Sequence, residues 1–316
     1  LNYGVWNSLL KMDQNSFVLQ YSGNSSDGYL QTFTTSSDGN TITQVLEKEW
    51  GTKNDVYYPS FIRMSEDTYL TAYYGYNSGI KHDGTSVSNT WGQWLSVFQI
   101  KSDGSVINEL GNFLHDTYTN SDPYNDLIKI DDDTYALAYK SYNYGPQTSG
   151  SWGGWIKTFK VNGGNINQIN ELQHYSSSDS YWHSWERLSA TTYALAWQGS
   201  GGDGYITTFT ISTDGATITE IAELEHDGNN GSYNSFAKLD DDTYVLAYTG
   251  DGSDGHISTF TIPTNGASIT KVATLEHDNS YGIFNSLVRI DQNKFMLAYK
   301  ASDNDGHVKM LSLIHI

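Results

Sequence analysis

The stretch Asn234-Ser-Phe-Ala-Lys-Leu-Asp-Asp-Asp-Thr-Tyr-Val-Leu-Ala-Tyr248 decides how this chain folds. It holds a short alternating segment, an aspartate-rich turn, and a run of β-branched, aromatic and small apolar residues. Its first half recurs as Asn7-Ser-Leu-Leu-Lys-Met-Asp13, Pro59-Ser-Phe-Ile-Arg-Met-Ser65, Asn125-Asp-Leu-Ile-Lys-Ile-Asp131, His183-Ser-Trp-Glu-Arg-Leu-Ser189 and Asn285-Ser-Leu-Val-Arg-Ile-Asp291. Anchored on Ser8, Ser60, Asp126, Ser184, Ser235 and Ser286, the copies are 52, 66, 58, 51 and 51 residues apart. A period near fifty residues without helical spacing predicts propeller blades of four strands.

Within one copy, strand A is the anchor and strand B is Tyr244-Val-Leu-Ala-Tyr248. Strand C is His256-Ile-Ser-Thr-Phe-Thr261, or Tyr205-Ile-Thr-Thr-Phe-Thr210 one copy earlier. A Ser-x-Asp-Gly turn such as Ser212-Thr-Asp-Gly215 leads to strand D, Ile218-Thr-Glu-Ile-Ala-Glu-Leu224. The prediction is an all-β, six-bladed β-propeller of antiparallel blades near 7–50, 59–116, 125–175, 183–227, 234–278 and 285–310. The last copy stops inside strand C, so the last blade is expected to be incomplete and the native ring to have six, seven or more blades. Residues 311–316 break the repeat and match a translated sequencing adapter. They read as a processing scar, and the chain as a fragment of a longer protein with further domains.

Composition narrows the function classes. The 36 acidic residues against 17 basic ones give a net charge of −19, which repels phosphate backbones and argues against nucleic acid as a partner. No stretch is apolar enough to insert in a membrane as a helix. With no cysteine there is neither a disulfide frame nor a thiolate site. The Asn-, Ser-, Thr-, Gly- and Tyr-rich composition resembles that of bacterial extracellular proteins, and an extracellular or cell-surface location is expected.

Loops carry the variation between copies. The long B–C segments 74–91 and 141–152 are expected to form an aromatic sector with the D–A segment 175–183. Trp91, Trp152, Tyr76, Tyr142, Tyr144 and His183 are its candidate ligand-binding residues. Rings beside amides and hydroxyls suit a sugar, whose C–H face stacks while its hydroxyls hydrogen-bond. A glycan or protein ligand is the expected partner, with no cofactor and no metal. The competing catalytic reading rests on Glu186, a charged residue at an otherwise apolar strand A position, with Asp179 as partner in glycoside cleavage. A purely structural spacer is the third reading.

Three repeated features are expected to be scaffold. Lys11, Arg63, Lys129, Arg187, Lys238 and Arg289 occupy one strand A position and are expected to pair with acids. His115, His174, His226 and His277 close strand D and are expected to hydrogen-bond the strand A serine. The aromatic residues opening strands A and C are expected to pack between blades.

The pattern Leu239-Asp-Asp-Asp-Thr-Tyr-Val-Leu-Ala-Tyr248 with Ser253-Asp-Gly-His-Ile-Ser-Thr-Phe-Thr-Ile262 resembles tandem repeats of large secreted bacterial proteins. That resemblance implies a propeller in a surface assembly and no chemistry. The histidine pattern resembles the His–Ser–Asp network of WD40 blades. The Ser-x-Asp-Gly-x-Thr turn resembles the Asp-box of sialidase-type propellers, but the three arginines that a sialidase converges on its substrate carboxylate lie here in alternate blades.

Overall fold

The computed structural model describes residues 4–50, 56–117, 124–143, 151–292 and 294–312. It divides into two compact units, Leu1–Glu171 and Leu172–Ile316.

In the first unit, blade 1 consists of β1 (Val5–Lys11), β2 (Ser16–Ser22), β3 (Gly28–Thr35) and β4 (Ile42–Trp50). Blade 2 is β5 (Val56–Arg63), β6 (Thr68–Lys81), β7 (Ser86–Ile100) and β8 (Ile107–Asp116). Blade 3 is β9 (Asp126–Lys129), β10 (Thr134–Asn143), β11 (Ser151–Asn162) and β12 (Asn165–Tyr175), within which the unit boundary falls.

The second unit contains blade 4, with β13 (Tyr181–Arg187), β14 (Thr192–Gln198), β15 (Gly204–Ile211) and β16 (Ile218–Asp227). Blade 5 is β17 (Ser232–Lys238), β18 (Thr243–Thr249), β19 (Gly255–Thr261) and β20 (Thr270–Asp278). Blade 6 is β21 (Ile283–Asp291), β22 (Lys294–Lys300) and β23 (Gly306–Ser312). Each sheet is antiparallel between successive strands, and blade 6 has three strands among the described residues. The fold class is the six-bladed β-propeller. Strand β23 stays paired through Leu311 and Ser312, two residues past the end expected from the repeat.

The second strand of blades 2 to 5 reads as a nearly continuous apolar run because both of its faces are covered, whereas β2 and β22 alternate buried and half-buried residues. Tyr244 to Tyr248 are all fully buried. Core clusters form between successive blades: Tyr139 and Trp155 meet Leu95 and Phe113, and Leu246 and Tyr248 meet Ala196 and Ile206. The outermost strands alternate, as β20 does with exposed Val272 and buried His277.

A β-bulge recurs near the start of strand A. The register slips between Val5 and Ser8, Tyr57 and Ser60, Tyr181 and Ser184, Ser232 and Ser235, and Ile283 and Ser286. The aromatic residue there takes a left-handed backbone each time, with φ between 46° and 56° at Trp6, Tyr58, Tyr124, Trp182, Tyr233 and Phe284. Such a conformation costs a bulky residue about 1–3 kcal/mol and re-aims its side chain. The re-aimed rings meet. Trp6, Tyr58 and Tyr124 follow one another with centroids 4.8 and 4.6 Å apart, and Trp182, Tyr233 and Phe284 at 3.8 and 4.6 Å.

The next two residues of the repeat clamp neighbouring blades. Asn234 and Asn285 donate to the carbonyls of Trp182 and Tyr233 at 3.1 and 3.3 Å. Ser60, Ser184 and Ser235 accept from the Leu127, Phe236 and Leu287 amides at 2.9–3.0 Å. The anchor serine therefore serves the next blade's backbone.

The strand D histidines are held differently from the expectation. The His115, His174 and His226 rings have no hydrogen-bond partner among the described residues. Each ring stands edge-on to a second-strand aromatic of the following blade: His115 on Tyr139, His174 on Trp197, His226 on Tyr248, and likewise His277 on Tyr299, at 4.7–5.1 Å. The polar lock is made by the histidine's carbonyl and the aspartate that follows. Lys157, Lys271 and Lys309 donate to the carbonyls of His115, His226 and His277. Tyr139 and Tyr299 donate to Asp116 and Asp278 at 3.2 and 2.9 Å. In blade 1 Trp50 takes the histidine's place, against Tyr73.

The strand A cations also differ from expectation. Arg63 donates to the Ser65 and Glu66 carbonyls, Arg289 to that of Asp291, and Lys129 to that of Met64, with Asp132 3.7 Å away. Arg187 and Lys238 lie over the rings of Tyr193 and Tyr244. Backbone carbonyls and ring faces thus join the expected acid contact, which Lys129 makes with Asp132, in holding this position.

Candidate functional site

The long B–C segment of blade 2 is a hairpin extension of β6 and β7. Tyr74 pairs with Gln93, Gly75 with Gly92, Tyr76 with Trp91 and Asn77 with Thr90. The hairpin tip turns back on its own blade, where Ile80 and Lys81 run parallel to Phe113 and Leu114. Buried Asn77 anchors the extension by donating to the Tyr73 hydroxyl at 2.5 Å. Ladder pairing thus fixes Trp91 and Tyr76 on a rigid element.

Tyr76 lies 5.7 Å from Trp91 and Trp91 lies 5.3 Å from Tyr74, ring centre to ring centre. Tyr74 continues to Tyr57 at 5.9 Å, and Tyr57 to Trp6 at 5.2 Å. Trp6 then leads to Tyr58 and Tyr124, so one aromatic tract runs from the blade 2 hairpin to the bulges of blades 1–3. All of these rings except Tyr74 are half-buried. Trp6, Tyr58 and Tyr124 were not singled out as ligand contacts from sequence, because an aromatic shared by every copy describes the scaffold as well as a site, and Tyr57 stands beside that shared position.

In blade 3, Tyr142 pairs with Trp152 across β10 and β11, and their rings meet edge-on at 5.6 Å. The Lys140 ammonium lies 5.8 Å from the Trp152 ring centre, within cation–π range. Gln93 of blade 2 donates to the Lys140 carbonyl at 3.0 Å. Tyr144 lies outside the described residues.

In the second unit, His183 is buried, with Nε2 2.9 Å from the Ser180 hydroxyl, and faces inward rather than out of the D–A loop. Asp179 accepts from Tyr181 at 3.2 Å and from Ser200 at 3.3 Å. Glu186 pairs with Ala194 in the β13–β14 ladder, while Tyr181 pairs with Gln198. Glu186 thus lies within β13, and Asp179 lies in the D–A segment before that strand.

At the turn end of blades 1 and 2 a cavity of about 380 Å³ is lined by Lys11, Met12, Asp13, Arg63, Glu66 and Ser102. Its Arg63 is already engaged by two carbonyls. The C–D turns repeat one geometry: Ser36 donates to Asp38 at 2.5 Å and accepts from the Thr41 amide, and Ser212, Asp214 and Thr217 do the same. The Ser36 hydroxyl first, then the Asn40 backbone amide and side chain, hold the Asp38 carboxyl down to about 2.

No protein-family model and no curated protein matches the chain. Its structure is similar to that of a protein of unknown function from Dyadobacter fermentans, with a TM-score of 0.58, 14% identity, and coverage of 98% of this chain and 93% of that one. A putative 6-phosphogluconolactonase from Bacteroides fragilis gives a TM-score of 0.61 at 13% identity, over 96% of this chain and 82% of that one. The NanB sialidase from Streptococcus pneumoniae, as its K499G mutant, gives 0.58 at 10% identity, over 97% and 67%. The likeness is one of fold. Enzymes and a protein of unknown function share it, so the fold does not choose a function. No helix among the described residues is long and apolar enough to cross a membrane.

Proposed function

We propose that this chain is a non-catalytic binding module of a secreted or surface protein, and that it takes glycans on the aromatic tract of blades 1–3. The observation that carries the reading is the continuity of Tyr76, Trp91, Tyr74, Tyr57 and Trp6 along ladder-paired backbone. Aromatic rings on a rigid element offer stacking area at little cost in side-chain entropy. The half-buried Tyr76 and Tyr142 belong to blades 2 and 3, and their hydroxyls supply polar partners. A net charge of −19 favours neutral or basic glycans over polyanionic ones.

The experiment is a glycan array probed with wild-type protein, Trp91→Ala and Glu186→Gln. Binding by wild type and by Glu186→Gln, lost in Trp91→Ala, supports the reading. An array blank for wild type ends it. Turnover that depends on Glu186 would replace it with an enzyme.

A further inference from the structure

Blade 5 carries a group of side chains that the aromatic tract does not use. One ligand atom from each of Asp254, His256 and Glu276 lies within 4.8 Å of the others. The backbone explains the convergence. Asp254 precedes β19, and its carbonyl accepts from the Gly250 amide at 2.8 Å, fixing the turn. His256 is the second residue of β19 and sits directly opposite Glu276 of β20. A register shift between Gly255 and His256 lies beside the pair.

The equivalent positions in other blades isolate what is special here. Blade 1 carries Asp27, Tyr29 and Glu49, and blade 4 carries Asp203, Tyr205 and Glu225, with Tyr29 opposite Glu49 and Tyr205 opposite Glu225. In blade 4, burial and then the Glu225 and Asp203 carboxylates push the Tyr205 hydroxyl up to about 12. Two acids around a strand C ring are therefore part of the repeat. Only the copy in blade 5 pairs both acids with an imidazole, since blade 6 has His307 but no fourth strand among the described residues. The ring itself packs as the tyrosines do: His256 stacks on Tyr248 at 5.5 Å and 24°, as Tyr205 stacks on Trp197 at 4.8 Å and 21°. Its Nδ1 is buried and makes no hydrogen bond among the described residues.

We propose that Asp254, His256 and Glu276 form a binding site for a divalent transition-metal ion of the zinc class. One imidazole and two carboxylates are a borderline donor set suited to Zn²⁺, Co²⁺ or Ni²⁺, and less suited to Ca²⁺ or Mg²⁺, which prefer oxygen alone. Their two negative charges neutralise the ion. Donors about 2.1 Å from a tetrahedral centre stand about 3.4 Å apart, so the present spread closes with small side-chain rotations. Glu276 is exposed, which leaves room for water or an external ligand to complete the coordination. The site goes beyond the glycan-binding reading and does not depend on it.

The test is titration calorimetry of chelator-treated protein with Zn²⁺, with the visible spectrum of the Co²⁺ form as a second readout. Wild type is expected to bind one equivalent. His256→Tyr installs the residue that blades 1 and 4 already carry, so the fold is kept. It should weaken binding at least about tenfold, as should Glu276→Gln. The reciprocal Tyr205→His should create a second equivalent in blade 4. Absence of saturable binding to wild type, or binding that His256→Tyr leaves unchanged, overturns the proposal.

Discussion

Acidification should begin to destabilise this protein before its carboxylates titrate, and His226 shows why. The residue is 5% exposed, and its ring stands edge-on to Tyr248 with no hydrogen-bond partner among the described residues. Burial above all, then the nearby Lys271 ammonium, holds its pKa down to about 3. In the unfolded chain a histidine titrates near 6.5, so between about pH 6.5 and 3 the unfolded state binds a proton that the folded state refuses. Stability is therefore complete above pH 6.5 and is lost as pH falls through that window. At about 1.4 kcal/mol per pH unit, His226 alone should cost about 2 kcal/mol between pH 8 and pH 5. The His226→Phe variant keeps an aromatic edge toward Tyr248 and removes the titration. Urea unfolding followed by tryptophan fluorescence at pH 8 and pH 5 measures the difference. The variant lowers stability at pH 8 through imperfect fit, yet the drop from pH 8 to pH 5 should shrink by about 2 kcal/mol. Groups that titrate elsewhere cancel in the comparison. Equal drops in wild type and variant would refute the reasoning.

Two further predictions concern packing. Lys157 is buried beside Glu171 at 3.7 Å and donates to the His115 carbonyl, so Lys157→Met, which removes both the ion pair and that hydrogen bond, should cost about 3–5 kcal/mol in denaturant unfolding. A Cβ on Gly255 would lie 2.3 Å from His277 Cε1, whereas one on Gly306 would meet nothing within 4 Å. Gly255→Ala should therefore lower stability by about 1–3 kcal/mol, and Gly306→Ala, at the same place in the repeat, should leave thermal unfolding unchanged.

The repeat was legible because each blade spends the same residues on the same tasks. An apolar run such as Tyr244 to Tyr248 is buried on both faces, and Asp-Gly and Asn-Gly turns carry left-handed glycines such as Gly215 and Gly266. Residues 74–91 read as a loop because Gly, Asn and Ser dominate them. Their strand pairing depends on the tip folding back onto β8, a contact that local composition does not encode. The role of the strand D histidines was hidden for a related reason. The lysines that reach their carbonyls come from the third strand in blades 3 and 6 but from the fourth in blade 5, so no aligned column reveals them. At the candidate site, Trp91 and Tyr76 stood out because the short copies lack them. Trp6, Tyr58 and Tyr124 were masked by their own regularity, and His256 by its alignment with packing tyrosines. Glu186 stood out as a charge in an apolar slot.

The most direct test of the account is calorimetric titration of a glycan selected on the array into wild type, Trp91→Ala and Tyr76→Ala. Stacking on the tract predicts saturable one-site binding for wild type, weakened at least about tenfold in each variant while both keep the wild-type unfolding midpoint. Wild-type affinity retained in both variants would contradict it.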